Sequence, residues 1–384
     1  MNGPDGKRGT PPLRILHLIS SAGFLGAENV ALELAVQSRK AGHEVSIAVL
    51  VTGLQSGCGL AEEAGKRKIP VTVLPCAGRL DAVVMGTLRE RIRKERFDIL
   101  HSHNYKSNFY TWRALRGERR AWVATNHGRR SGFRLMLYNL ADAYVARHAD
   151  RVVAVSERIA RKLRLAGVRR ERIRVIHNGI DAERFAGKGP DPGLRESLGI
   201  PSHGRVIGTV GSLSREKGHI FLIRAAPQVL QRCPSAYFLV IGDGAEREAL
   251  EGEAAKLGIR DRILLPGSRT DIPDLLKVMD VFAFPSLLEG LPMALLEAQA
   301  AGTPAVATAL GAIPVVIRDA ATGLLVPPGD PAAIADSIVR LLENPDAARA
   351  MAAAGAERVR SAFSAPAMAG KYLDLYREVL EDET

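Results

Sequence analysis

The chain has 384 residues, 46% hydrophobic and 25% charged, with 53 Lys/Arg against 42 Asp/Glu for a net charge of +11. That length and balance suit a globular protein with two domain cores and exclude a disordered or fibrous chain. Cys58, Cys76 and Cys233 show no metal-ligand or redox spacing and cannot all pair, which excludes a disulfide-built scaffold and points to a reducing compartment, the cytoplasm.

Residues 1–12 are rich in Gly and Pro and read as a flexible tail. A strand is predicted over Leu13–Ile19, then a loop from Ser20 to Gly26, then a helix in which Ala27, Val30, Ala31 and Leu34 keep helical spacing and Gly42 is the stop. Lys7 and Arg8 before the apolar stretch imitate a signal peptide. Arg14 and His17 interrupt it, and its removal would delete the first strand. No apolar run reaches the roughly eighteen residues of a membrane span.

Further strands are predicted at Glu44–Val51, Val71–Leu74, Ile99–Ser102, Trp122–Thr125, Val152–Val155 and Ile173–Ile176. Around Asp181–Gly193 the pattern breaks into a linker, then restarts at Val206–Val210, Tyr237–Ile241, Ile263–Leu265, Val281–Phe284, Ala305–Ala307 and Leu324–Val326. Strands alternating with helical patterns mean parallel βαβ units. Two doubly wound Rossmann-like domains are therefore expected, at 13–190 and 191–364, with ligands beyond the carboxyl ends of the strands in a shared cleft. Residues 365–384 read as a final amphipathic helix carrying Tyr372, Leu375, Tyr376 and Leu380.

Charge divides unevenly. Residues 1–190 hold 34 Lys/Arg against 17 Asp/Glu, whereas 191–384 hold 19 against 25. The basic runs include Arg89–Arg96, Arg113–Arg120, Arg129–Arg134 and Arg158–Arg164. Such a half wants an anionic partner, either a lipid phosphate acceptor or an anionic membrane surface. With 5% aromatic residues and no zinc-finger or RNA-binding signature, nucleic acid is not expected.

Glu289 and Glu297 lie eight residues apart. Pro292 suits a helix start and Gly302 with Pro304 its end, which puts Glu289 in the preceding loop and Glu297 in the second turn. A helix N-terminus offers free amides and a favourable dipole to an anion, so Gly290 and the residues from Pro292 could hold a phosphate while the carboxylates bind sugar hydroxyls. Upstream, Gly211-Ser-Leu-Ser-Arg-Glu-Lys-Gly218 is a basic loop opening a helix. Arg215 and Lys217 there are candidates to neutralise a diphosphate leaving group.

Joined by Gly242-Asp-Gly244, these landmarks resemble, in their order, those of family 4 glycosyltransferases of the GT-B architecture (glycosyl transferases group 1). The resemblance covers nearly the whole chain, through Gly23-Phe-Leu-Gly-Ala-Glu28, Asp98–His103, Thr125–Gly128, Val155–Glu157, Val175–Asp181 and Thr322–Asp330. It implies a retaining hexosyltransferase using a nucleoside diphosphate sugar, UDP-sugars being favoured over GDP-mannose. The acceptor would be a lipid-linked or other glycan held by the N-terminal domain at the inner face of the plasma membrane, in cell-envelope polysaccharide assembly. The final helix would pack back on the N-terminal domain.

By the same resemblance Glu289, His127, Lys217 and Arg215 form the catalytic group, with His127 ranked above His101 and His103. Gly23, Gly26, Ser212, Gly242, Gly244, Gly290, Leu291, Pro292, Met293 and Glu297 bind the donor. Two departures stand out: Ser212 occupies a position where many relatives have arginine, and Gly311-Ala-Ile-Pro-Val315 lacks a glutamate that relatives often carry. No Asp-x-Asp occurs, so no catalytic metal and no cofactor are expected. The alternatives are a sugar-nucleotide epimerase of this architecture and a catalytically silent sugar-nucleotide-binding subunit. A dinucleotide dehydrogenase is disfavoured because Gly23-Phe-Leu-Gly26 lacks the Gly-x-Gly-x-x-Gly pattern.

Overall fold

The computed structural model describes residues 11–21, 26–52, 58–78, 80–127, 141–187, 189 and 193–382. They form two units, residues 1–178 with 368–384, and 179–367.

The first unit is built on seven strands: β1 (Arg14–Ser21), β2 (Glu44–Thr52), β3 (Val71–Cys76), β4 (Ile99–His103), β5 (Ala121–Asn126), β6 (Arg151–Ala154) and β7 (Ile173–Val175). Their order is β3-β2-β1-β4-β5-β6-β7, and every pairing is parallel. The order in which successive strands are added reverses between β1 and β4, the switch point at which doubly wound sheets hold ligands beyond the strand ends. Alternating residues split the sheet into two faces. One face carries Leu16, Leu18, Leu100, Trp122 and Ala124 into an apolar cluster. The other carries Ile15, His17, Ile19, Ile99, His101, His103, Val123 and Thr125, all buried.

The second unit repeats the plan with β8 (Arg205–Val210), β9 (Ala236–Ile241), β10 (Ile263–Gly267), β11 (Val281–Phe284), β12 (Ala305–Thr308) and β13 (Leu324–Val326). They run in the order β10-β9-β8-β11-β12-β13, again all parallel. Both faces are apolar: Ile207, Phe238, Val240, Val281 and Val306 join one cluster, and Val206, Leu239, Ile241, Phe282 and Ala305 the other. A sheet covered on both sides is what near-continuous apolar strands require.

The segment read as a linker is in part structured. Residues Ala182–Ala186 form a helix, and Ile180, Ala182, Phe185 and Leu194 are buried in the second unit's core, so apolar burial draws residues from 179 onward into that unit. The last helix, Ala365–Glu381, belongs from Met368 on to the first unit. Tyr372 and Tyr376 are buried there, and Arg151 Nη2 donates to Glu378 Oε1 at 2.9 Å.

Candidate functional site

In the second unit, the loop after β11 places the first carboxylate. Ser286 is fully buried and its carbonyl accepts from Thr308 Oγ1 at 2.7 Å. Leu287 N donates to Glu216 O at 2.8 Å, which pins this loop to the turn carrying Lys217. Glu289, 7% exposed, then receives two bonds on one oxygen: Lys217 Nζ donates to Oε1 at 2.5 Å and Ser286 Oγ at 2.9 Å. Among the described residues nothing donates to its Oε2, so one carboxylate oxygen stays open. The Lys217 ammonium also lies 5.6 Å from the centre of the Phe284 ring, an added attraction for the cation.

The turn depends on Gly218, whose φ is +64°; a Cβ there would lie 2.2 Å from Pro285 O. Gly242 has the same kind of constraint, with φ +140° and an imagined Cβ 1.9 Å from Gly211 O. Gly244 likewise lets its loop abut the Ser212–Ser214 loop, and Leu213 N donates to Asp243 O at 2.9 Å. The two glycines bring the loops after β8 and β9 together.

The helix Met293–Ala300 begins at Pro292, with no side chain capping it. Its first turn therefore leaves amides without intrahelical acceptors. Gly290 is exposed with open space above it, while Leu291 and Met293 are partly buried against the core. Glu297 stands in the second turn, partly exposed. Burial pushes its carboxyl up to about 7, offset in part by the Arg184 guanidinium, and no described side chain hydrogen-bonds it.

Arg215 and Ser212 do not join this group. Both are exposed. Arg215 lines a separate cavity of about 610 Å³ with Ser214, His219, Arg224, Glu246 and Glu253, which takes in neither Glu289 nor Lys217. Ser212 Oγ meets Ser214 Oγ at 3.4 Å, and its carbonyl accepts from His219 Nε2 at 3.3 Å. Val315 is exposed and its carbonyl takes a bond from Arg358 Nη2 at 2.6 Å.

In the first unit, Gly23 lies outside the described residues. Gly26 opens the helix Gly26–Lys40 and is exposed. His127 follows β5 directly and is not isolated. Its Nε2 meets His103 Nδ1 at 3.2 Å, and His103 Nε2 meets His17 Nδ1 at 3.1 Å. Burial lowers His17 to about 3 and His127 to about 4, and holds His103 well below its ordinary value, so all three rings are neutral near pH 7.

His101 belongs to a different network: its Nδ1 meets Tyr376 Oη at 2.6 Å and its Nε2 meets Thr125 Oγ1 at 2.7 Å, while Thr125 meets Tyr372 Oη at 3.1 Å. That ties the last helix to the sheet. His17, His101 and His103 carry ring nitrogens within 4.8 Å of one another. Both nitrogens of His101 and of His103 are already in hydrogen bonds, so the trio offers one unengaged nitrogen, His17 Nε2.

Sequence reasoning did not single out Ser286 or His17 as site residues. Ser286 carried a weak signal, three residues before Glu289. His17 carried none, because its approach to His103 depends on β1 lying beside β4.

The family profile described as Glycosyltransferase Family 4 matches residues 25–184, and the one described as Glycosyl transferases group 1 matches residues 191–358. A D-inositol 3-phosphate glycosyltransferase of Salinispora tropica is 33% identical over 338 residues, 79% of this chain and 69% of that protein. The enzyme of the same name from Xylanimonas cellulosilytica is 31% identical over 93% of this chain and 92% of its own. The Escherichia coli UDP-Gal:alpha-D-GlcNAc-diphosphoundecaprenol alpha-1,3-galactosyltransferase is 29% identical over 67% of this chain and 70% of its own. In fold, the chain matches Anabaena HepE in complex with UDP at a TM-score of 0.81, with 23% identity over 95% of this chain and all of that one. A Rickettsia africae glycosyltransferase matches at 0.82, with 22% identity over 97% of this chain and 99% of that one. With each half matched by its own family profile and two parallel Rossmann-like sheets of the GT-B type, the chain belongs to glycosyltransferase family 4, and it is a glycosyltransferase.

Proposed function

We propose that this enzyme transfers a hexose-type sugar, with retention and without a metal ion, from a UDP-sugar to a lipid-linked or other glycan acceptor of the cell envelope. The observation that carries the donor reading is the Lys217–Glu289–Ser286 group at the uncapped start of the helix Met293–Ala300. An ammonium and free amides oppose the charge that accumulates on a departing diphosphate. Glu289 Oε2 is open to a sugar hydroxyl, and Glu297 to the ribose hydroxyls. The structures named for UDP and UDP-glucose complexes of Anabaena HepE, and the UDP-Gal donor in the name of the E. coli relative, support a UDP-sugar.

In this mechanism the bond from the anomeric carbon to the phosphate oxygen breaks, and the bond to the acceptor oxygen forms on the same face. The acceptor's proton passes to the departing phosphate oxygen. Lys217 and the helix amides hold the leaving group, and His127 hydrogen-bonds the substrate.

The acceptor reading rests on charge. In the helix Ala82–Glu95 three of the four cations pair with nearby acids, Arg91 with Glu95, Lys94 with Glu90 and Arg93 with Glu118, and Arg89 donates to Arg116 O. On the helix Glu157–Leu165, by contrast, Arg158, Arg161 and Lys162 are exposed without a described partner, and Leu165 beside them is 83% exposed. This face suits a lipid phosphate at an anionic membrane surface. Among the described residues no helix is long and apolar enough to cross a membrane. A diphosphoundecaprenol acceptor in the name of the E. coli relative fits the same picture.

The test is acceptor-dependent release of UDP. Glu289→Gln and Lys217→Ala are each expected to lower turnover about a hundredfold with the fold intact, and a chelator is expected to leave turnover unchanged. Turnover near wild type in either variant refutes the donor site, nucleotide release without acceptor favours an epimerase, and loss of activity on chelation refutes metal independence.

A further inference from the structure

The reading of His127 as a substrate ligand leaves open what sets its chemistry, and three rings on adjacent strands bear on that. His127 follows β5, His103 ends β4, and His17 lies within β1, where it pairs in register with His101. The contacts run His127 Nε2 to His103 Nδ1 at 3.2 Å, then His103 Nε2 to His17 Nδ1 at 3.1 Å. The two outer atoms, His127 Nδ1 and His17 Nε2, are buried and without partners.

A neutral imidazole has one N–H and one lone pair. Three neutral rings joined by two hydrogen bonds therefore have two consistent arrangements. Either every ring carries its proton on Nε2 and the chain donates inward, or every ring carries it on Nδ1 and the chain donates outward. The inward arrangement strands an N–H at His17 Nε2, within a fully buried residue. The outward arrangement strands a lone pair there and an N–H at His127 Nδ1, an atom that is also buried but belongs to a residue only partly buried. Each arrangement thus leaves one N–H and one lone pair unmatched, and the choice turns on where the N–H, the costlier orphan at about 1–3 kcal/mol, can be relieved. His127 follows the carboxyl end of β5, the end at which such sheets hold ligands, and is partly exposed, so solvent or a substrate oxygen can recover that cost there, whereas His17 is fully buried.

The backbone holds the middle ring firmly. Asn104, just after His103, sits at φ +77° and ψ 160°, a region that costs about 1–3 kcal/mol for a residue with a side chain. It is kept there by Asn104 N donating to Thr125 O at 3.3 Å and by Ser107 Oγ donating to Asn104 O at 2.8 Å. Beside His127, Asn126 Nδ2 donates to Asp142 Oδ2 at 3.1 Å, and Asp142 Oδ1 accepts from Asn108 Nδ2 at 2.7 Å.

We propose that His17 and His103 are positioning residues that fix His127 as its Nδ1–H tautomer, so that His127 donates a hydrogen bond to an acceptor oxygen of the substrate and does not serve as a general base. This deepens the functional reading and rests on its placing His127 at the substrate. The acceptor's proton then has to leave by another route, as it does when the departing phosphate takes it.

The experiment is nitrogen-15 NMR of the imidazoles in the wild-type protein without ligand, where nine histidines make assignment by single His→Gln variants practical. His17, His103 and His127 are expected to show Nδ1–H together; Nε2–H in all three, or a mixed set, overturns the proposal. The second measurement compares His17→Leu with His17→Asn, whose side-chain amide can replace the Nδ1 donor, with thermal melts to confirm folding. His17→Leu is expected to shift His127 toward Nε2–H and lower kcat about tenfold with KM little changed, and His17→Asn to restore most of both. A folded His17→Leu protein with wild-type tautomer and kcat overturns the relay. If His17→Leu does not fold, the wild-type spectrum alone decides. If His127→Ala leaves turnover intact, the role at the substrate fails, while the spectrum still decides the relay.

Discussion

Glu297→Gln isolates the cost of a desolvated carboxylate. The side chain is partly exposed and has no described hydrogen-bond partner, and burial pushes its carboxyl from the ordinary 4.5 up to about 7. Below 4.5 the group is neutral folded or unfolded. Between 4.5 and 7 the unfolded chain ionises first, so the folded state holds the extra proton and stability falls as pH rises; above 7 the full cost is present. At about 1.4 kcal/mol per pH unit this interval corresponds to at most about 3–4 kcal/mol, and screening at a partly exposed site reduces it to about 1–2 kcal/mol. Glutamine removes the charge at every pH. Differential scanning calorimetry of the ligand-free proteins is therefore expected to show Glu297→Gln melting about 2–8 °C above wild type at pH 8.5 and close to it at pH 5, given the shift per kcal/mol of a domain this size. An equal gain at both pH values would mean that packing, not charge, is responsible. No gain at pH 8.5 would mean that the carboxylate is solvated, and the reasoning would be refuted.

If the ionised Glu297 accepts hydrogen bonds from a ribose, the UDP dissociation constant measured by calorimetry is expected to weaken as pH falls below 7, by up to about tenfold per pH unit, and to be flatter in Glu297→Gln; a constant wild-type value from pH 5.5 to 8 removes Glu297 from the nucleoside. Gly242→Ala forces a Cβ toward Gly211 O at a φ of +140° and is expected to cost more than about 1 kcal/mol, read as a lower melting temperature; an unchanged melt refutes the loop packing. Tyr376→Phe deprives His101 Nδ1 of its 2.6 Å partner and is expected to destabilise by about 1–3 kcal/mol in denaturant unfolding. A neutral result there would mean that the ring has found another partner.

The strands and the landmarks of the donor site were legible locally. Runs such as Val206–Val210 and Val281–Phe284 are short, apolar and bounded by turn formers, and Pro292 marked the start of the helix that carries Glu297. These signals span about ten residues, the range over which backbone periodicity and caps act. What the local pattern could not decide was which strands become neighbours. His17 meets His103 across 86 residues, and His101 meets Tyr376 across 275, because sheet order places β1 beside β4 and the last helix returns to the first unit. Tyr372 and Tyr376 read only as apolar positions at helical spacing, yet their hydroxyls complete a buried polar network. Arg215 looked equivalent to Lys217 in the loop, but the two are ends of one three-residue 3₁₀ turn, and Lys217 meets Glu289 while Arg215 lines a cavity that takes in neither. Amino-acid order by itself determined the elements, their alternation and the carboxylate on either side of Pro292. Only the tertiary structure decided which polar atoms are matched, which oxygen of Glu289 stays open and which histidine nitrogens are orphaned, because those depend on register and burial between segments far apart in the chain.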